Sequence, residues 1–222
     1  GLTARNWTLL EESLRSFGTL HDASAIVPRL RMVKSPAEIA CVREAARLTR
    51  AAWEAGLSRI GPGADEGEIL AAMQGAVFAG GGDYPGNEFI VGSGADALLC
   101  RHKSGRRRLG ANDQITLEFA GAFRHYHCAM MQTVVVGTPT PRHEEMFAAA
   151  SAALSAVEEA MRSGRTFGEV FDAHAHVLDE AGLHAACMNA CGYSLGATFT
   201  PSWMDPPMFY RDNAAEIVPD MT

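Results

Sequence analysis

Nowhere in its 222 residues does the chain hold an apolar run long enough to span a bilayer, and its first residues carry no signal-peptide pattern. A membrane is therefore not expected as a partner. Positive charge is also scarce. The 19 Lys and Arg stand against 26 Asp and Glu, a formal net charge of -7, which argues against nucleic acid or an anionic surface. The one basic cluster, GRRRLG at 105–110, is too short for a phosphate-binding surface and reads as a solvated turn before a strand. Paired-cysteine motifs are missing too. Cys41, Cys100, Cys128, Cys187 and Cys191 are odd in number and form neither a CxxC pair nor a disulfide framework, which fits a reducing, cytoplasmic compartment. The glycine runs Gly80-Gly81-Gly82 and Gly92-Ser93-Gly94 lack the strand, GxGxxG and helix order of a dinucleotide site. His174 and His176, two apart on a predicted helix, point to different sides and cannot share a metal. Cys187 and Cys191 could meet across one helical turn, but without further ligands they read as buried thiols.

What is present is the composition of a globular protein, 47% apolar and 20% charged. That length suffices for one large domain or a domain with part of another. Several helix starts are written out. Ser35-Pro36-Ala37-Glu38 is a capping box with proline at the first helical position, opening a long helix to about Arg59. Asp65 with Glu68 opens a second helix through Phe78. Thr166 with Glu169 opens another that ends near Gly182, and an Ala-rich helix spans about Pro141 to Ser163. Strands are expected at Glu88 to Val91 and in a hairpin from about Gln114 to Val136. Mixed elements without a βαβ rhythm predict an α+β architecture, with helices covering one face of a mainly antiparallel sheet. Residues 1–30 read as the tail of a preceding domain and a linker, with a short amphipathic helix (Trp7, Leu10, Leu14, Phe17) and a strand at Ala25-Ile26-Val27. Residues 31–222 read as one domain, with a further strand expected to begin at Val218 to Thr222.

The hairpin LEFAGAFRHYHCAMMQTVVVG, from Leu117 to Gly137, holds one carboxylate among apolar and aromatic residues. If Arg124-His125 is a two-residue turn, Ala122 lies opposite His127, Ala120 opposite Ala129 and Glu118 opposite Met131. One face then carries Glu118, His127, Ala129 and Met131. The other carries Ile115, Leu117, Phe119 and Phe123 and packs. A carboxylate on such a strand is either at an exposed rim or buried with a raised pKa or a partner, the usual preparation for catalysis.

The segments RMVKSPAEI (Arg31 to Ile39), NEFIVGSGADALLCRH (Asn87 to His102), the hairpin, CGYSLG (Cys191 to Gly196) and EIVPDMT at the end resemble, in order and spacing, the creatinase/aminopeptidase P/prolidase family. The resemblance covers about residues 26 to 222 and implies the pita-bread fold, a curved, mainly antiparallel sheet covered by helices. It also implies a smaller N-terminal domain and a homodimer. The family's metallopeptidases hold two metal ions with two aspartates eleven apart on the hairpin, a histidine and two later glutamates. Here those first three positions fall on Glu118, Ala129 and Tyr193, so the dinuclear site is expected to be absent and no cofactor is required. The chain is more similar still to the ectoine hydrolase branch, and to creatinase, which cleaves a C–N bond without metal. It shares a glutamate at the first aspartate position, a RYHC-like strand at Arg124 to Cys128, and a GYS-G-PxW segment at Gly192 to Trp203. It departs from that branch at the inserted His125, at Met131-Gln132 and at Met204 to Pro207.

The expected chemistry is metal-independent hydrolysis of a C–N bond in a small amidine or guanidino compound. By resemblance Glu118 and His102 are catalytic, while Tyr126, His127 and Tyr193 bind the substrate. Two other readings stand beside it: an Xaa-Pro dipeptidase or aminopeptidase, which needs activated water and a divalent metal, and a catalytically silent module that uses the same cleft for binding.

Overall fold

A computed structural model describes residues 2–98 and 105–222. The chain divides into two units, Gly1–Leu30 and Arg31–Thr222. In the first, helix α1 (Ala4–Leu14) begins at Thr3, whose hydroxyl accepts the Asn6 N–H at 3.2 Å. The strand expected at Ala25-Ile26-Val27 is not formed. Those residues lead into helix α2 (Ile26–Met32), anchored by Ile26 N–H to Ala23 O and Arg29 N–H to Ala25 O. Pro28 falls in the first turn of α2, where a proline's missing N–H breaks no intrahelical bond, so the β-branched Ile26-Val27 pair does not decide the local structure.

In the second unit, helix α3 (Pro36–Leu57) starts with the capping box read from the sequence, Ser35 and Glu38 bonding reciprocally. Helix α4 (Glu66–Ala79) differs from expectation at its start, because Asp65 caps the Gly67 N–H and Glu68 does not complete a box. Its first residue, Glu66, turns inward and is fully buried, accepting from Ser93 Oγ at 2.5 Å and Arg107 N–H at 3.1 Å. Strand β1 (Ile90–Ser93) begins two residues later than the pattern predicts. Strands β2 (Asp113–Phe123) and β3 (Tyr126–Val136) form the hairpin, followed by helices α5 (Pro141–Ala160) and α6 (Phe167–Glu180) and strands β4 (Ala190–Ser194) and β5 (Asp205–Tyr210). Residues 218–222 form no strand. They turn, and Thr222 bonds Leu195 through its carbonyl and its hydroxyl.

Among the described residues the strands make two antiparallel sheets, β1-β2-β3 and β4-β5. The hairpin register is the one derived from the two-residue turn: Glu118 opposes Met131, Ala120 opposes Ala129 and Ala122 opposes His127. Arg124 and His125 both take positive φ, 50° and 66°, as a type I′ turn demands of its central pair. Side chains alternate across β2, so Ile115, Leu117 and Phe119, all fully buried, face the helices, and Trp53 of α3 stacks on Phe119 at 6.5 Å between ring centroids. Each such side chain stabilises the fold by about 1.5–3 kcal/mol. The opposite face, with Glu118 in its middle, is left for the cleft. The GRRRLG turn leads into β2 as expected: Leu109 is buried, Arg107 pairs with Asp113 at 2.5 Å and Arg108 lies 3.7 Å from Asp65.

Candidate active site

Glu118 sits at the centre of the three-stranded sheet, flanked by Ile90 of β1 and Met131 of β3. It borders a cavity of about 700 Å³ that is also lined by Ala190 to Tyr193 of β4, by Ser202 to Met204 and by Met208 of β5. Sulfur and aromatic groups dominate this wall. Met131, Met204, Met208, Cys187 and Cys191 all reach it, as do Tyr193 and Trp203. Trp203 is 1% exposed and donates its indole N–H to Tyr193 Oη at 2.9 Å. A phenol that accepts from an indole keeps its own O–H as a donor, so the Trp203 contact fixes where Tyr193 presents that proton. A second hollow of about 610 Å³, bordered by Tyr84, Gly86, Thr200 and Pro201, adjoins the first at Asn87 and Ile90.

The residues named from the sequence are distributed unevenly about this cleft. Glu118 and Tyr193 line the same cavity. His102 lies outside the described residues. His127 shares the sheet face of Glu118 but is fully buried, with Nε2 accepting the Gly86 N–H at 2.8 Å. Burial lowers its pKa, so the ring is held toward the neutral form. Tyr126 is on the other face and is not brought to the cavity. Being opposite Phe123 it points with the packing side chains, and its hydroxyl donates to Glu38 Oε1 of α3 at 2.8 Å. Burial first, then the Glu38 carboxylate, push its pKa up to about 12.

Met131 faces Glu118 as the hairpin register predicts, whereas Asn87, Met204 and Met208, on loops and β5, reach the cavity through long-range packing that no local pattern signals. Cys187 and Cys191 were weighed as buried thiols, and both are half-buried at the cavity wall. Burial pushes the Cys191 thiol up to about 11, so at neutral pH it is protonated and not a nucleophile. His174 and His176 are set apart as expected, the first half-buried beside Phe171 and the second 3.4 Å from Glu180.

Residues 40–222 match metallopeptidase family M24. The chain belongs to that family. The ectoine hydrolase of Halomonas elongata is 27% identical over 216 residues, covering 90% of this chain and 53% of that protein. An Xaa-Pro dipeptidase of Pyrococcus furiosus is 22% identical over 186 residues, covering 84% of this chain and 53% of that protein. Among solved structures, the prolidase from Pyrococcus horikoshii superposes with a TM-score of 0.90 at 19% identity, over 97% of this chain and 61% of that one. The fold is thus the pita-bread fold of the prolidases. This M24 chain spans about half the length of the curated relatives it matches.

An M24 metallopeptidase implies bound metal, and among the described residues the side chains at Ala129 and Tyr193 do not fit a dinuclear centre. Ala129 offers a methyl group on the Glu118 face, directly opposite Ala120, where a second carboxylate would be needed. Tyr193 offers a phenol held by an indole. Among the described residues no three His, Cys, Asp or Glu side chains converge to hold an ion.

Proposed function

We propose that this protein hydrolyses a C–N bond in a small amidine or guanidino compound without a metal ion, as an ectoine hydrolase or creatinase would. The observation that carries this reading is Glu118, one carboxylate on the cleft face with Ala129 rather than a second acid beside it, walled by thioethers and an indole. An amidinium is a delocalised cation. At 4 Å from a carboxylate it is attracted by about 4 kcal/mol at an effective dielectric near 20, and methionine and tryptophan faces accept its flat apolar surface.

In the proposed reaction Glu118 takes a proton from water as the oxygen adds to the amidinium carbon. The C–N bond then breaks as the departing nitrogen gains a proton from His102, the hydroxyl of the intermediate returns a proton to His102 as the carbonyl forms, and the amine leaves with the proton that Glu118 took from water. One amidinium and one water give one amide and one protonated amine. Tyr193, its hydroxyl aimed by Trp203, orients the substrate. A homodimer acting on a small molecule in the cytoplasm belongs to the same reading.

A second reading, an Xaa-Pro dipeptidase, is supported by the P. furiosus relative of that name. Turnover of ectoine, creatine and Xaa-Pro dipeptides, measured with and without chelator, separates the two. Amidine hydrolysis that survives chelator is expected, and the Glu118→Gln variant should lose about 10²–10⁴-fold in kcat with unchanged circular dichroism. Prolyl cleavage that requires stoichiometric manganese, zinc or cobalt, or near-normal activity in Glu118→Gln, would overturn the metal-free reading.

A further inference from the structure

Residues 84–88 line the second hollow and residues 202–204 the first. Behind them the fully buried imidazole of His127 joins Gly86 to residues 196–198. Nε2 lies 2.8 Å from the Gly86 amide nitrogen, and an amide N–H can only donate, so Nε2 carries no proton. Nδ1 lies 3.4 Å from Gly196 O and 3.1 Å from Thr198 Oγ1. A carbonyl can only accept, which puts the ring proton on Nδ1. The backbone repeats the connection, with His127 N–H on Gly196 O at 3.2 Å and Thr198 N–H on His125 O at 3.1 Å.

Gly86 passes the constraint on to the cavity. A Cβ there would stand 2.6 Å from Ser202 O and 3.2 Å from Trp203 N, so its backbone rests directly on the segment that carries the indole. Trp203 in turn holds Tyr193. We propose that His127 is a positioning residue for the Glu118 cleft, a neutral Nδ1–H clasp that seats Gly86 against Ser202-Trp203 and thereby fixes the Trp203–Tyr193 pair. This role takes from the preceding section only the placement of substrate at Glu118. Among the described residues, the charged or titratable groups that act on the ring are Asp83, on the loop before Gly86, and His125, in the hairpin turn. Gly196 to Thr198 contribute no charged side chain.

The test reads the clasp apart from turnover. Nitrogen-15 NMR of the histidine-labelled protein at pH 8 should show His127 protonated at Nδ1 and bare at Nε2. Hydrogen exchange should find the Gly86 amide and the Trp203 indole N–H protected. His127→Phe should cut the protection of both by about tenfold, the worth of one hydrogen bond, while the Phe119 amide in the sheet core keeps its protection. His127→Gln, whose side-chain oxygen can accept from Gly86, should restore it. With ectoine as the probe, His127→Phe should raise KM while kcat at saturation changes little. A proton on Nε2, or protection at Gly86 and Trp203 unchanged in His127→Phe, would overturn the assignment. A uniform loss across the core that glutamine does not rescue would reduce His127 to a packing residue and overturn it equally. Should His127→Phe not fold, the tautomer and His127→Gln still decide. If wild-type protein turns over no amidine while the exchange results hold, the proposed chemistry fails and the clasp stands.

Discussion

Tyr126 and Glu118 stand eight residues apart on the same hairpin, and the parity of the strand separates them. Tyr126 donates to Glu38 Oε1, and that carboxyl is held below its ordinary range first by the Ser35 amide, then by the Ser35 hydroxyl and Tyr126. Tyr126→Phe should therefore cost about 1 kcal/mol of unfolding free energy and leave turnover within experimental error, as denaturant titration and steady-state assays would measure. A large fall in kcat with intact stability would return Tyr126 to the cleft. The same parity was legible in the sequence. Once Phe123 is assigned to the packing face, its partner Tyr126 must follow, whereas Glu118 and His127 share the other face. What parity could not supply is depth. His127 is sealed by Gly86 and by residues 196–198, which lie 41 and about 70 positions away in sequence, and no local pattern encodes such a contact.

Elements were legible where their signals are local. The capping boxes of α3 and α6 and the hairpin with its positive-φ turn all follow from residues within a few positions of one another. Failures fell where two local signals compete, as in α2, where a β-branched pair precedes a proline suited to a first helical turn. The seating of α3 on β2 had no sequence signature. It depends on Gly121, where an added Cβ would lie 2.4 Å from Ala45 O and 2.6 Å from Thr49 N, both backbone atoms of α3. Thr49 Oγ1 locks the approach, accepting the Gly121 N–H at 2.9 Å while lying 2.6 Å from Cys128 O. Gly121→Ala must push a helix away from a sheet rather than turn a side chain. The expected loss is about 3 kcal/mol, the upper end for overpacking, read as a lowered denaturation midpoint at constant slope. A midpoint equal to wild type would mean that α3 can slide and that its seating does not set the sheet position of Glu118.

At the scale of the whole molecule, several groups differ in protonation between the folded and unfolded chain. Burial lowers the pKa of His127 below the ordinary 6.5, so in mildly acidic solution the unfolded chain binds a proton that the folded chain refuses. Stability contributed by the neutral ring is complete above pH 6.5 and is lost as pH falls below it, with a slope of at most about 1.4 kcal/mol per pH unit for one group. His174, also lowered by burial, acts in the same direction. Glu38 and Asp113 have lowered carboxyl values, so their contribution holds above their ordinary 4.5 and 3.8 and drains away only in stronger acid. The unfolding free energy should thus decline in two stages, a first below pH 6.5 from histidines and a second below about pH 4.5 from carboxylates. His127→Gln, which keeps an acceptor for Gly86 but cannot titrate, should flatten part of the first stage and leave the second unchanged. Unfolding curves collected from pH 8 to pH 4 on both proteins would check this, and superimposable profiles would show that the buried neutral imidazole contributes nothing to the acid sensitivity of the fold.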